Sequence, residues 1–151
     1  MNNDLSKEFT LETHQTKDVS DNHVNGSLTV IWRDWDDIIK NNIKMIYVST
    51  VNTSEIKGPH IHTKRNSYFV CIHGKVVFIV KEKTGLYKEI ISSAENPVLV
   101  FVPKNCASAH INLSSNESRV LTLADLAWKP NDNEMINESF NDYDWSKWQN
   151  R

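Results

Sequence analysis

His60 and His62 stand one residue apart behind Gly58-Pro59. In an extended segment alternate side chains share a face, so these two imidazoles point the same way. His110 follows the apolar stretch 98–102 and Pro103, where another strand turns. A neutral imidazole can take a proton from a carbon beside a carbonyl, because it titrates near working pH. Three histidines with one open position would also suit zinc, and that chemistry stays open at this point. A lone histidine is more often a satisfied packing or surface residue, and His14, His23 and His73 are read so. Around the pair, Lys57, Lys64 and Arg65 carry charge that could meet an anionic group, although Lys64 and Arg65 equally suit a solvated loop. Ser67, Phe69 and Cys71 share one face of the strand that follows.

The elements that hold these residues read as short strands. Residues 28–32, 43–51, 68–72, 76–81, 87–91, 98–102 and 119–123 are rich in strand-favouring side chains. Gly58-Pro59, His73-Gly74, Thr84-Gly85, Asn96-Pro97, Pro103 and Lys129-Pro130 punctuate them as turns. That rhythm argues for an all-β sandwich or barrel rather than βαβ units. One helical reading is made: Trp35, Ile38 and Ile39 recur at helical spacing within 33–40. Residues 1–27 are polar and read as a partly ordered arm, leaving 28–151 as a single domain. The acidic, aromatic tail from 131 on, with Phe140, Tyr143, Trp145 and Trp148, is expected to pack back on the barrel.

Composition narrows the classes. The 151 residues hold 17 Lys plus Arg against 19 Asp plus Glu, a net charge of −2. This balance lacks the basic surplus of a nucleic-acid binder. No apolar run approaches the roughly 20 residues that span a membrane, and the opening has neither the basic start nor the apolar stretch of a secretion signal. Cys71 and Cys106 lack metal-type spacing and read as reduced thiols. A cytoplasmic location is the expectation.

Gly58-Pro59-His60-Ile61-His62, closed by Gly74, resembles the first motif of cupins, small antiparallel jelly-roll β-barrels. Metal-binding cupins place a Glu where this chain has Ser67, and Asn105 stands where their second motif usually has Gly. The resemblance therefore implies no bound metal and no other cofactor. Within cupins the chain resembles the RmlC-like nucleotide-sugar branch, the dTDP-4-dehydrorhamnose 3,5-epimerases and dTDP-4-keto-6-deoxyhexose 3,4-ketoisomerases. Lys57-Gly58-Pro59-His60 is similar to their Arg-Gly-x-His, and the segment from Pro103 to His110 to their Pro…His. The tail, Trp128 to Glu134 and Phe140 to Trp145, is similar to that branch's C-terminus.

This resemblance implies an isomerase of deoxysugar or cell-surface polysaccharide biosynthesis, acting as a homodimer on a nucleotide-sugar. It implies His60 as base, with His62 and His110 as donors or orienting groups. Lys57, Lys64 and Arg65 would meet the diphosphate, and Ser67 and Phe69 the substrate. Phe69, Trp128 and Tyr143 are the candidates to flank a nucleobase. The branch's late-strand acid Tyr is replaced by Thr122, too weak an acid for full 3,5-epimerisation. The expected reaction is thus confined to C3, giving a 3-keto isomer or a C3 epimer. Two other classes remain in view. One is a zinc cupin using His60, His62 and His110, like the barrel of some capsule-sugar reductases. The other is a non-catalytic sugar-binding cupin.

Overall fold

The computed structural model describes residues 4–149. Twelve strands run in chain order: β1 (Lys7–Thr10), β2 (Thr13–Lys17), β3 (Val24–Thr29), β4 (Met45–Val51), β5 (Ile56–His62), β6 (Ser67–His73), β7 (Lys75–Lys81), β8 (Tyr87–Ser93), β9 (Val98–Val102), β10 (Ala107–Asn112), β11 (Ser118–Ala124) and β12 (Met135–Asn137). They form two five-stranded sheets, β1-β9-β6-β11-β4 and β12-β5-β10-β7-β8, plus the separate hairpin β2-β3. Every pairing is antiparallel. The chain is an all-β cupin jelly roll, as its sequence implies.

Both faces of the central strands are covered, which is why they read as apolar runs rather than alternations. Val51, Phe69, Cys71, Val76, Phe78, Val100 and Val120 fill the space between the sheets. Tyr68, Val70, Leu99, Phe101 and Leu123 face outward from the first sheet and are covered by Phe9, Leu11, Ile31, Ile38, Ile39 and Ile43. On the outer face of the second sheet, Phe140, Tyr143, Trp145 and Trp148 pack on Val77, Ile79 and Ile111. The tail does return to the barrel. Cys71 and Cys106 are buried and unbridged, and burial pushes the Cys71 thiol up to about 11.

Several local expectations change. Of the 1–27 arm, residues 1–3 lie outside the described residues, and the rest is more regular than its polar composition implies: β1 extends the first sheet beside β9, and Ser6 bonds the buried Glu82 through its N–H and hydroxyl. The strand expected at 28–32 is β3, which ends at Thr29. Residues 33–40 form turns rather than a helix. That segment is too short to offset helix nucleation and holds Asp34, Asp36 and Asp37, poor helix formers. Its Ile38 and Ile39 dock on the sheet while Trp35 stays 72% exposed. Gly58-Pro59 is not a turn but the middle of β5, joined by a cis peptide bond. His110 lies within β10 rather than at its edge.

Candidate active site

The site occupies the open end of the sandwich, between β4 of one sheet and β5 and β10 of the other. A cavity of about 410 Å³ there is lined by Tyr47, Lys57, His60, His62, Arg65, Phe69 and His110, among others. In a regular strand Lys57 and His60 would face opposite sides. Here the β5–β10 register slips between Ser108 and His110, and a bulge of this kind re-aims side chains. Lys57, His60 and His62 all reach the cavity as a result. Gly58 makes the close approach possible: with φ at +89°, a Cβ there would lie 2.7 Å from the Ser108 carbonyl oxygen.

β12 pairs with β5 and sets Asn137 directly across from His60. The His60 Nδ1 lies 3.1 Å from the Asn137 amide oxygen. That oxygen only accepts, so Nδ1 donates to it, which in the neutral ring leaves the lone pair on Nε2.

His62 is held differently. Its Nδ1 donates to Glu134 Oε1 at 2.7 Å, and its Nε2 accepts from an Arg65 amino group at 2.9 Å. Burial lowers its pKa most, Arg65 adds to the effect, and the Glu134 carboxylate opposes it. The ring is therefore neutral, with both nitrogens engaged. Arg65 Nε sits 3.7 Å from the same Glu134 oxygen, and its guanidinium faces the Tyr47 ring at 5.9 Å. Arg65 and Glu134 are 6% and 2% exposed, so each is the other's main charge compensation. Arg65 is thus not the solvated loop residue its surroundings in sequence allow, whereas Lys64 is exposed.

His110 packs against Phe69 and Phe78. One edge of its ring reaches the cavity, but Nε2 is enclosed and has no partner. Burial, with Lys57 and His60 nearby, pushes its pKa down to about 4. The unfolded ring, near 6.5, binds a proton more readily than the folded one, so His110 stabilises the fold above pH 6.5 and the contribution fades toward pH 4. Urea unfolding should show about 2 kcal/mol less stability at pH 5 than at pH 7.5 from this group. His110→Gln should remove that part of the pH dependence.

The remaining sequence candidates fall in different places. Phe69 forms the cavity wall. Ser67 does not line the cavity; it lies beneath, 1% exposed, with its hydroxyl unpartnered. Thr122, opposite Phe69 in the ladder, is fully buried and likewise unpartnered, so no acid reaches the cavity from the late strand at that position. Tyr143 sits far off on the outer face of the second sheet, its hydroxyl bonded to Glu89. Glu134, Asn137 and Tyr47 escaped the sequence reading. Among the described residues, the group whose ligand atoms converge within 4.8 Å is Asp18, Asp21 and His23, the first half-buried and the other two exposed. His60, His62 and His110 form no such set.

The comparisons agree on the fold. A 3,4-ketoisomerase from Helicobacter canadensis is 20% identical, with the match covering 95% of this chain and 94% of that one at a TM-score of 0.69. The Legionella pneumophila dTDP-6-deoxy-D-glucose-3,5-epimerase, solved with dTDP-4-keto-L-rhamnose, is 13% identical over 91% and 74% of the two chains, at 0.74. The Staphylococcus aureus capsular polysaccharide assembling protein CapF is 18% identical over 64% of this chain, at 0.59. That match spans only 29% of CapF, less than a third of its length. No curated protein matches the sequence. The family model described as FdtA: WxcM-like, C-terminal matches residues 10–145, nearly the whole described chain, and the protein belongs to that family.

Proposed function

We propose that this protein is a nucleotide-sugar isomerase that moves the C3 proton of a dTDP-4-keto-6-deoxyhexose. One observation carries the reading. His60 is held through Nδ1 by Asn137 and lines a cavity whose His62 and His110 are kept neutral.

The carbonyl at C4 acidifies the neighbouring C3–H. His60 Nε2 takes that proton, and the electron pair moves to the C4 oxygen as an enolate. Arg65 supplies the positive charge that stabilises it, a contribution usually larger than proton transfer itself. His62, locked to Arg65 and Glu134, orients that guanidinium. Returning the proton from His60 to C4, while the O3 proton passes to O4 by way of a second imidazole, gives the 3-keto isomer. Returning a proton to the other face of C3 gives the epimer. His110, neutral and lining the cavity beside His60, is the remaining imidazole for the relay between oxygens.

Incubation with dTDP-4-keto-6-deoxyglucose should yield the 3-keto isomer or the C3 epimer, identified by NMR, and chelator treatment should leave the rate unchanged. Unaltered substrate, or activity lost with a stoichiometric metal, would overturn this reading.

The same proposal includes a homodimer. The β2-β3 hairpin pairs with no other strand among the described residues, and Val24 and Leu28 on it are 52% and 53% exposed. An isolated two-stranded hairpin is marginal in water. Ile46 and Val48 on the edge strand β4 are also more than half exposed. A second copy would cover both surfaces. Light scattering should give twice the 17.4 kDa chain mass, and a monomer at micromolar concentration would contradict it.

A further inference from the structure

We infer that a cavity between the C-terminal tail and the loops joining β4 to β5 and β10 to β11 binds an uncharged sugar ring, packed against Trp145 and Trp148. Its volume is about 430 Å³, within the range of small-molecule sites, and it shares only Ile56 with the reaction cavity. The inference goes beyond the isomerase reading and does not depend on it.

The local sequence brings both indoles to one place. Asp144 caps a 3₁₀ turn, Trp145–Trp148, by accepting from the Ser146 N–H at 3.0 Å. Residues three apart in such a turn lie one above the other, so Trp145 and Trp148 reach the same space. Each ring is fixed before a ligand arrives. Trp145 stacks on Phe140, centroids 5.9 Å apart, and donates its N–H to the Phe140 carbonyl. Trp148 donates its N–H to the Tyr143 hydroxyl at 2.7 Å. The loops that complete the cavity are tied together as well: the buried Asn112 amide donates to the Val51 and Asn116 carbonyls, and the Thr53 hydroxyl to the Ser115 carbonyl. Preorganisation of this kind lowers the ordering cost of binding.

The lining selects the ligand class. Among the described residues that line this cavity none is charged. Lys147, 5.7 Å from the Trp148 ring centroid, is paired with Glu89 and does not line it. A phosphate or carboxylate would therefore gain no counter-charge. Lys57 and Arg65 supply that in the reaction cavity. Trp128, 62% exposed, lines a space sharing His62 and Arg65 with the reaction cavity and belongs to that site. Here the protein offers two indoles, apolar surface from Ile111 and Leu113, and the exposed Ser54, Ser115 and Gln149. A pyranose matches each part. Its ring C–H bonds pack on aromatic faces, and its hydroxyls donate to and accept from serine and amide groups. A purely apolar ligand would gain nothing from the polar residues.

Saturation-transfer NMR with methyl β-D-glucopyranoside, methyl α-L-rhamnopyranoside and methyl N-acetyl-β-D-glucosaminide tests the site. At least one should bind the full chain saturably, with the roughly millimolar affinity of so small a ligand. Trp148→Ala should weaken it about tenfold or more, as truncating an aromatic anchor does. Trp148 also packs the tail, so Ser115→Phe is the second variant: it fills the cavity from an exposed turn. Binding should fall about as far in Ser115→Phe, with the melting midpoint unmoved, and saturating dTDP should not displace the sugar. Absence of saturable binding by all three glycosides, or unchanged affinity in either variant, would overturn the inference. Displacement by dTDP would place the sugar in the reaction cavity and overturn it too. A proline-rich peptide bound where no glycoside binds would give the cavity to a protein partner, with the same consequence. Isomerase turnover is read separately and stands whichever way these results fall.

Discussion

His60→Asn should lower turnover of the 4-keto sugar by 10²- to 10⁴-fold, roughly the worth of a positioned general base. Asparagine keeps a polar group opposite Asn137 but cannot accept and return a proton near neutral pH. Binding of the nucleotide portion should change little, because none of the contacts assigned to it passes through His60. The loss should therefore appear in kcat and in kcat/KM alike, with KM nearly constant. A variant retaining more than about a hundredth of the wild-type rate would show that another group removes the proton.

Glu134→Ala should be the most destabilising change at the site. It leaves the Arg65 charge, 6% exposed, without its counter-charge, and removes the acceptor of His62 Nδ1. Breaking a buried pair by deleting one partner costs roughly 3–5 kcal/mol, which for a chain of this size is a fall of about 10 °C in melting midpoint. Glu134→Gln keeps the shape and an acceptor for His62 but not the charge, so its loss should be smaller. Activity should fall in both variants, since neither holds Arg65 and His62 in the same relation. If Glu134→Ala melts within about 2 °C of wild type, Arg65 is compensated by another group and the network is wrongly drawn.

Much of the barrel is legible in the sequence, because β6 and β7 are buried on both faces and read as unbroken apolar runs. The pairing of His60 with His62 is legible too, since alternation in a strand needs only local information. What surrounds them is not. Asn137, at the end of a three-residue strand, and Glu134, just before it, reach the histidines from more than seventy positions away in sequence, and nothing periodic marks that pairing. β10 escapes for a different reason: Ala107 to Asn112 is built of small and polar residues, so its strand character comes from its neighbours β5 and β7 rather than from propensity. The same holds for Arg65. Its charge suggests solvent, and only the fold shows the buried carboxylate that lets it sit inside.

The missing late-strand acid bears on the reaction itself. Thr122, the cross-strand partner of Phe69, is fully buried, so exchange at two carbons would require a proton carrier other than this residue. The most direct measurement is the reaction of dTDP-4-keto-6-deoxyglucose in deuterated water, read by NMR at each carbon of recovered substrate and product. Exchange with solvent, where it occurs, should be confined to the carbon-bound proton that leaves C3, with C5 fully protonated, and should be slowed by roughly a hundredfold or more in the His60→Asn variant. Deuterium at both C3 and C5, or at C3 in the His60→Asn variant at the wild-type rate, would contradict it.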